Sequence, residues 1–341
     1  MDIRKSATAL DATEIDAFLE AIIKLKARKA TNANISVYDQ FVALHGAVMG
    51  VTHAGSRDPI NFAHGNIGFL PWHRQYLRLF ELALQKEVPN VSLPYWDWSD
   101  DIGAAQKLFT DNFLSSTTWG QATAVNNGLL RSRLPNSKKP TWWPTGMSGF
   151  AVDRNLQEGL GSSLQRGSTE ANWPPSTAQM QQLATLDFPI RGSNALWAFW
   201  YILEQGAQGF NTRTHNAGHR FIGGHMGGSF SPNDPIFWMH HANVDRTWAL
   251  WQSFQLQKNT GSQTSDFWPK ANERSPINGR IAPQGHQLTD DLWPWVGSDA
   301  DQYRSISVSQ AVLNSLYDYR TADKVKVSDV LDFESMGFKY A

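Results

Sequence analysis

Cysteine is missing altogether from these 341 residues. That one absence excludes a disulfide framework, thiolate zinc sites, iron–sulfur clusters and thiol nucleophiles. Charge is sparse as well: 18% of residues carry one, and 30 basic against 31 acidic side chains leave a net −1. With no basic block, a nucleic-acid partner has no electrostatic footprint. No apolar run approaches the roughly 18 residues of a membrane-spanning helix. Met1-Asp2-Ile3-Arg4-Lys5 opens a polar, amphipathic stretch and not the apolar core of a signal peptide. The expectation is a soluble protein, cytoplasmic or exported with a partner, and without a membrane contact. The His-Glu-x-x-His of zinc proteases is absent, and so are the Glu-x-x-His pairs of di-iron carboxylate bundles.

What the chain does have is 15 tryptophans and 10 histidines. Apolar periodicity predicts helices after the capping-box pair Asp11 and Glu14, over about 36–50, and from Pro71 to about Glu87. Others are expected over about 193–205, from His215 to about Phe221, and from Asp234-Pro235 to about Lys258. A weaker one falls near 308–317. Residues 99–190 and 259–330 read as ordered loops with short helices, rich in Gly, Pro and Trp, as at Trp293-Pro294-Trp295. Length alone would allow about two domains, but no repeat or linker divides the chain. The fold class expected is mainly α, with a central four-helix bundle, long loops and little β, in one domain over 1–341.

The histidines fall in two groups. His45, His53, His64 and His73 lie close together, and so do His215, His219, His225, His240 and His241, leaving His286 apart. One buried histidine is ordinarily a hydrogen-bonded core residue, but several buried together would have to stay neutral and all find partners. A metal provides for that. His215 and His219, at i and i+4, share a helix face. His45, His73 and His241 sit on the apolar faces of three more helices, as in a bundle with its site in the middle. Two metals with three nitrogen ligands each follow. All-imidazole ligation suits copper, and zinc stays open on ligand chemistry alone.

The run His64 to Arg74, with Pro94-Tyr95-Trp96-Asp97-Trp98 after it, resembles the first copper region of tyrosinases, the type-3 copper proteins. Thr214 to His219 and Ser231 to Trp248 resemble their second. Ile3-Arg4-Lys5 is similar to the bacterial N-terminus, and Phe338-Lys339-Tyr340 to the motif that closes the catalytic domain. The resemblance implies two coppers, one on His45, His64 and His73, the other on His215, His219 and His241. His53 is the alternative to His64. His240 would support the second site from behind, while His225 and His286 would be surface or loop residues. It further implies ortho-hydroxylation of monophenols and oxidation of o-diphenols to o-quinones with O2. Glu204 and Asn216 would hold a water that takes the phenol proton, Arg220 would meet a substrate carboxylate, and Asp245 would orient ligands. Without cysteine there is no thioether on a copper histidine, which makes the site bacterial-type. The chain stops after the closing motif, so no C-terminal blocking domain is expected, and copper would arrive free or through a helper protein. Insertions relative to compact members are expected at about 99–190 and 299–328. The alternatives are a catechol oxidase, an o-aminophenol oxidase, a haemocyanin-like O2 carrier and, more remotely, a zinc hydrolase.

Overall fold

A computed structural model describes the chain apart from residues 31–34, 54, 56–59, 100–106, 111–112, 115–122, 125–164, 167–174, 187–194, 207–213, 271–285, 298–301 and 306–322. The helix expected near 308–317 and most of both expected insertions lie outside the described residues. Helix α1, Ala12–Ala27, starts on the capping box: Glu14 N donates to Asp11 Oδ1 at 2.9 Å and Asp11 N to Glu14 Oε2 at 3.1 Å. Helix α2, Val37–Val48, is capped by Ser36 and buried along its whole length. Helix α3, Phe69–Glu87, begins two residues before Pro71. Proline needs no amide partner in a first turn, so it does not mark the start.

Helix α4, Thr177–Ala184, lies in the loop-rich middle, and helices α5, Ala195–Gln205, and α6, His215–Ile222, stand where periodicity puts them. Helix α7, Ile236–Lys258, starts one residue later than Asp234-Pro235 predicts. The Asp234 carboxylate is held by Arg166 through two bonds of 2.6 and 2.7 Å, although its Oδ1 still accepts from Ile236 N at 3.1 Å. Among the described residues no helix is long and apolar enough to cross a membrane.

Strands are short and paired in twos. β1, Asp2–Arg4, runs parallel to β8, Phe338–Tyr340; β2, Val51–His53, and β6, Tyr303–Ser305, are antiparallel. β3, Thr123–Ala124, pairs with β4, Gln165–Arg166, and β5, Asp291–Val296, with β7, Lys324–Lys326. Trp293-Pro294-Trp295 is thus strand, not the loop its proline predicts. Pairing holds at Asp291 and Val296 and is irregular between them, so Pro294 owes no amide to the ladder, while Leu292, Trp293 and Trp295 are buried.

Helices α2, α3, α6 and α7 form the middle of the molecule. Tyr76 Oη on α3 donates to the Phe41 carbonyl on α2 at 2.6 Å, and Phe80 on α3 stacks on Trp238 of α7 at 3.6 Å and 3°. These contacts fix the inward faces that carry the histidines.

Candidate metal centre

His45 is buried on α2 and His73 on α3, and each has its Nδ1 against a main-chain carbonyl: Ser229 O at 2.6 Å and Phe69 O at 2.8 Å. A neutral imidazole has one N–H and one bare nitrogen. The carbonyls take the Nδ1 proton and leave Nε2 bare, and both Nε2 atoms are buried without a partner. His64 comes from the loop before α3, which is stiffened by side chains. Asn61 Oδ1 accepts from His64 N at 3.0 Å, Asn66 Nδ2 donates to the His64 carbonyl at 3.0 Å, and Gly68 N donates to Asn66 Oδ1 at 2.8 Å. The three imidazoles bring one nitrogen each within 4.8 Å of the others.

The second group is tighter. Nε2 of His215 lies 3.0 Å from that of His219 and 3.2 Å from that of His241, and the last pair is also 3.2 Å apart. His219 Nδ1 faces the Met226 carbonyl at 2.7 Å and His215 Nδ1 faces Asn216 Oδ1 at 2.8 Å, so both Nε2 atoms are bare. At most one N–H, that of His241, is available to a triangle that would need three. A cation among the three nitrogens satisfies all of them at once, and neutral imidazole is the form that ligates. Burial, the largest influence, pushes His45 down to about 3 and His219 to about 4. His64, His73, His215 and His241 lie well below the usual range, again chiefly through burial. The donor sets therefore fit two metal ions. The groups abut: His73 stacks on His241 at 4.3 Å and 13°.

The six proposed ligands thus come together in two threes, with His240 beside the second. His53 sits on β2 with its backbone paired to Tyr303. Glu204 is buried on α5, its Oε1 accepting from Gly65 N at 2.8 Å and its Oε2 from Trp200 Nε1 at 2.7 Å. Burial outweighs those bonds and raises its carboxyl to about 7. Asn216, half-buried, donates from Nδ2 to Gln205 Oε1 at 2.8 Å. Arg220 is exposed and its charge acts on His219.

Three placements differ from expectation. Asp245 touches no imidazole; it takes Arg74 Nε at 2.6 Å, Tyr340 Oη at 2.6 Å and Arg4 Nη1 at 3.3 Å. Arg74, which it holds, is the chain neighbour of His73. His225 and His286 are buried and not on the surface, although His286 does lie in loop. The glycine-rich run around His225 reads as loop, yet it turns inward because Met226 and Ser229 supply the carbonyls for His219 and His45. The His286 ring lies on Gly68, where a Cβ would come 1.9 Å from its Nδ1, so only glycine admits it beside the His64 loop. Sequence reasoning also missed Gln205 and Trp98, polar contacts that follow no period.

Residues 35–254 match the common central domain of tyrosinase. A tyrosinase of Streptomyces glaucescens is 36% identical over 298 residues, which are 86% of this chain and 93% of that protein. Grixazone synthase of Streptomyces griseus subsp. griseus is 32% identical over 265 residues, 74% of this chain and 84% of the relative. Among solved structures, a mutant polyphenol oxidase from Thermothelomyces thermophila is similar with a TM-score of 0.62 at 21% identity, covering 100% of this chain and 89% of that one. A functional unit of octopus hemocyanin gives 0.54 at 19% identity, covering 100% and 68%. At those identities the two structures share the fold.

Proposed function

The chain belongs to the tyrosinase family, and from that premise we propose that it is a type-3 copper oxidase that hydroxylates monophenols and oxidises o-diphenols to o-quinones with O2. The observation that carries this reading is the pair of abutting three-imidazole groups without a carboxylate among the donors. His45, His64 and His73 would hold one copper and His215, His219 and His241 the other. Two bound coppers supply the electron transfer between phenol and O2; the protein supplies position and proton handling.

A phenol of pKa about 10 must lose its proton to bind a cation well. Glu204, with its carboxyl at about 7, has the basicity for that near neutral pH. Asn216 has a second amide N–H beyond the one given to Gln205, and in this reading it orients the water through which Glu204 acts. Glu204→Gln or Asn216→Ala will lower monophenol turnover about 100-fold and diphenol turnover far less. In the unsubstituted enzyme the monophenol rate falls as pH drops through about 7, because the carboxyl then carries the proton. Equal losses on both substrates would remove Glu204 and Asn216 from the mechanism.

In this reading Arg220, exposed on α6, meets a carboxylated phenol from the solvent side. Arg220→Ala will cut kcat/KM for a carboxylated phenol about 10-fold relative to a neutral one; an unchanged preference ends that assignment. The function as a whole is tested by copper analysis together with O2 uptake on tyrosine and on the matching diphenol. Two coppers per chain with sustained uptake on both substrates is the expected result. Uptake on the diphenol alone makes the protein a catechol or aminophenol oxidase, and one O2 bound per copper pair without turnover makes it a carrier.

A further inference from the structure

The second histidine group contains one imidazole too many. His240 joins His215, His219 and His241, the four offering ring nitrogens all within 4.8 Å of one another. Its ring lies 4.7 Å from that of His219 and stacks over His215 at 5.2 Å and 25°. Reach therefore does not keep it from a metal held by the other three. What differs is the partner of its Nδ1. His45, His73, His215 and His219 each turn Nδ1 toward an oxygen, which takes the proton there and leaves Nε2 bare. His240 turns Nδ1 toward a donor, the indole Nε1–H of Trp98, at 3.1 Å. Indole nitrogen can only donate, so Nδ1 of His240 is the bare nitrogen and Nε2 carries the proton. That Nε2 is buried and meets no hydrogen-bond acceptor.

We propose that Trp98 locks His240 in the Nε2–H tautomer and so keeps a fourth imidazole off the second metal, preserving an open coordination position there for O2 and phenol. A catalytic metal site needs such a position, which a closed four-ligand site lacks. The lock is held firmly. Trp98 is fully buried, and the chain just before it is tied to α7 by Trp96 N donating to the Met239 carbonyl at 2.9 Å. On the other side the His240 ring rests on Gly218, where a Cβ would come 2.3 Å from its Cε1. Glycine between the two α6 histidines thus seats the ring, and Trp98 decides which of its nitrogens is bare.

This rests on the copper reading above for its purpose, but its first test needs no copper. In the metal-free chain, 15N NMR of labelled histidine, assigned with His240→Phe, should show His240 as the Nε2–H tautomer. An Nδ1–H signal overturns the lock whatever the protein's activity. In Trp98→Phe the donor is gone, and X-ray absorption of the reduced, copper-loaded protein should show the mean nitrogen count per copper rising from about 3 to about 3.5, with O2 uptake falling about 10-fold. The double variant Trp98→Phe/His240→Phe should return the count to about 3 and recover O2 uptake, a rescue that general damage at Trp98 would not allow. An unchanged count in Trp98→Phe, or no rescue in the double variant, overturns the proposal.

Discussion

Asp245→Ala will lower the stability of the metal-free chain by about 3–5 kcal/mol, the range for breaking a buried ion pair by removing one partner. The carboxylate sits in a network of three guanidinium groups and three carboxylates. Arg4 forks onto Glu81 at 3.2 and 2.8 Å and reaches Asp245, Arg74 binds Asp245, and Arg78 binds Asp2 and Glu81 at 2.7 and 2.9 Å. Arg4, Arg74, Glu81 and Asp245 have side chains 0–1% exposed, so no water can replace a lost partner. Removing Asp245 leaves the network one positive charge in excess. Arg74 then keeps the Val330 and Leu331 carbonyls, the face of Trp248, 3.7 Å away, and the more distant ring of Phe333, at 5.5 Å. Burial already holds the Arg74 guanidinium below its ordinary value, against the pull of Asp245, so the loss falls on the group least able to bear it. Urea unfolding should show the midpoint falling with an unchanged slope. A loss under about 1 kcal/mol would mean that the network is closer to a surface ion pair in worth.

His241→Phe will act in opposite directions with and without metal. With copper, the chain should bind no more than one ion and lose at least about 1000-fold in oxidase rate, since the second site has lost a ligand. It also loses the stabilisation of one bound ion, about 4 kcal/mol when the metal is at 1000 times its dissociation constant. Without metal, the variant should melt no lower than the parent. The Nε2 triangle with edges of 3.0–3.2 Å is then relieved of one member, and the unpartnered, buried Nδ1 of His241 disappears. A phenyl ring keeps the shape that stacks on His73. Melting curves with and without chelator check both signs, and a metal-free variant markedly less stable than the metal-free parent would contradict the crowding of bare nitrogens.

The helices were legible because burial imposes a period on the sequence. Phe237, His241, Val244, Trp248 and Trp251 fall on one face of α7 and all are buried there. The capping box at Asp11 and Glu14 is equally local. Five of the six proposed ligand positions stand on such helix faces, whereas His64 stands on a loop and is proposed over His53 by the spacing of the family motifs alone. Partners distant along the chain leave no period. β1 finds β8 through three residues at each end, and Asp245 finds Arg4 across the whole protein. His225 and His286 read as surface or loop residues because they follow no apolar period. They are buried through contacts distant along the chain, as where the His286 ring lies on Gly68. The tautomer of each ring, on which the chemistry depends, is set by those contacts and not by the residue itself.

One short stretch of chain serves both histidine groups. Met226 holds His219 of the second group from within a single turn of 3-10 helix, Gly224–Gly227, and Ser229, just after that turn, holds His45 of the first, with Phe230 lying against Gly46. Any displacement of that turn therefore reaches both groups at once, because the carbonyl that holds His219 and the one that holds His45 travel together.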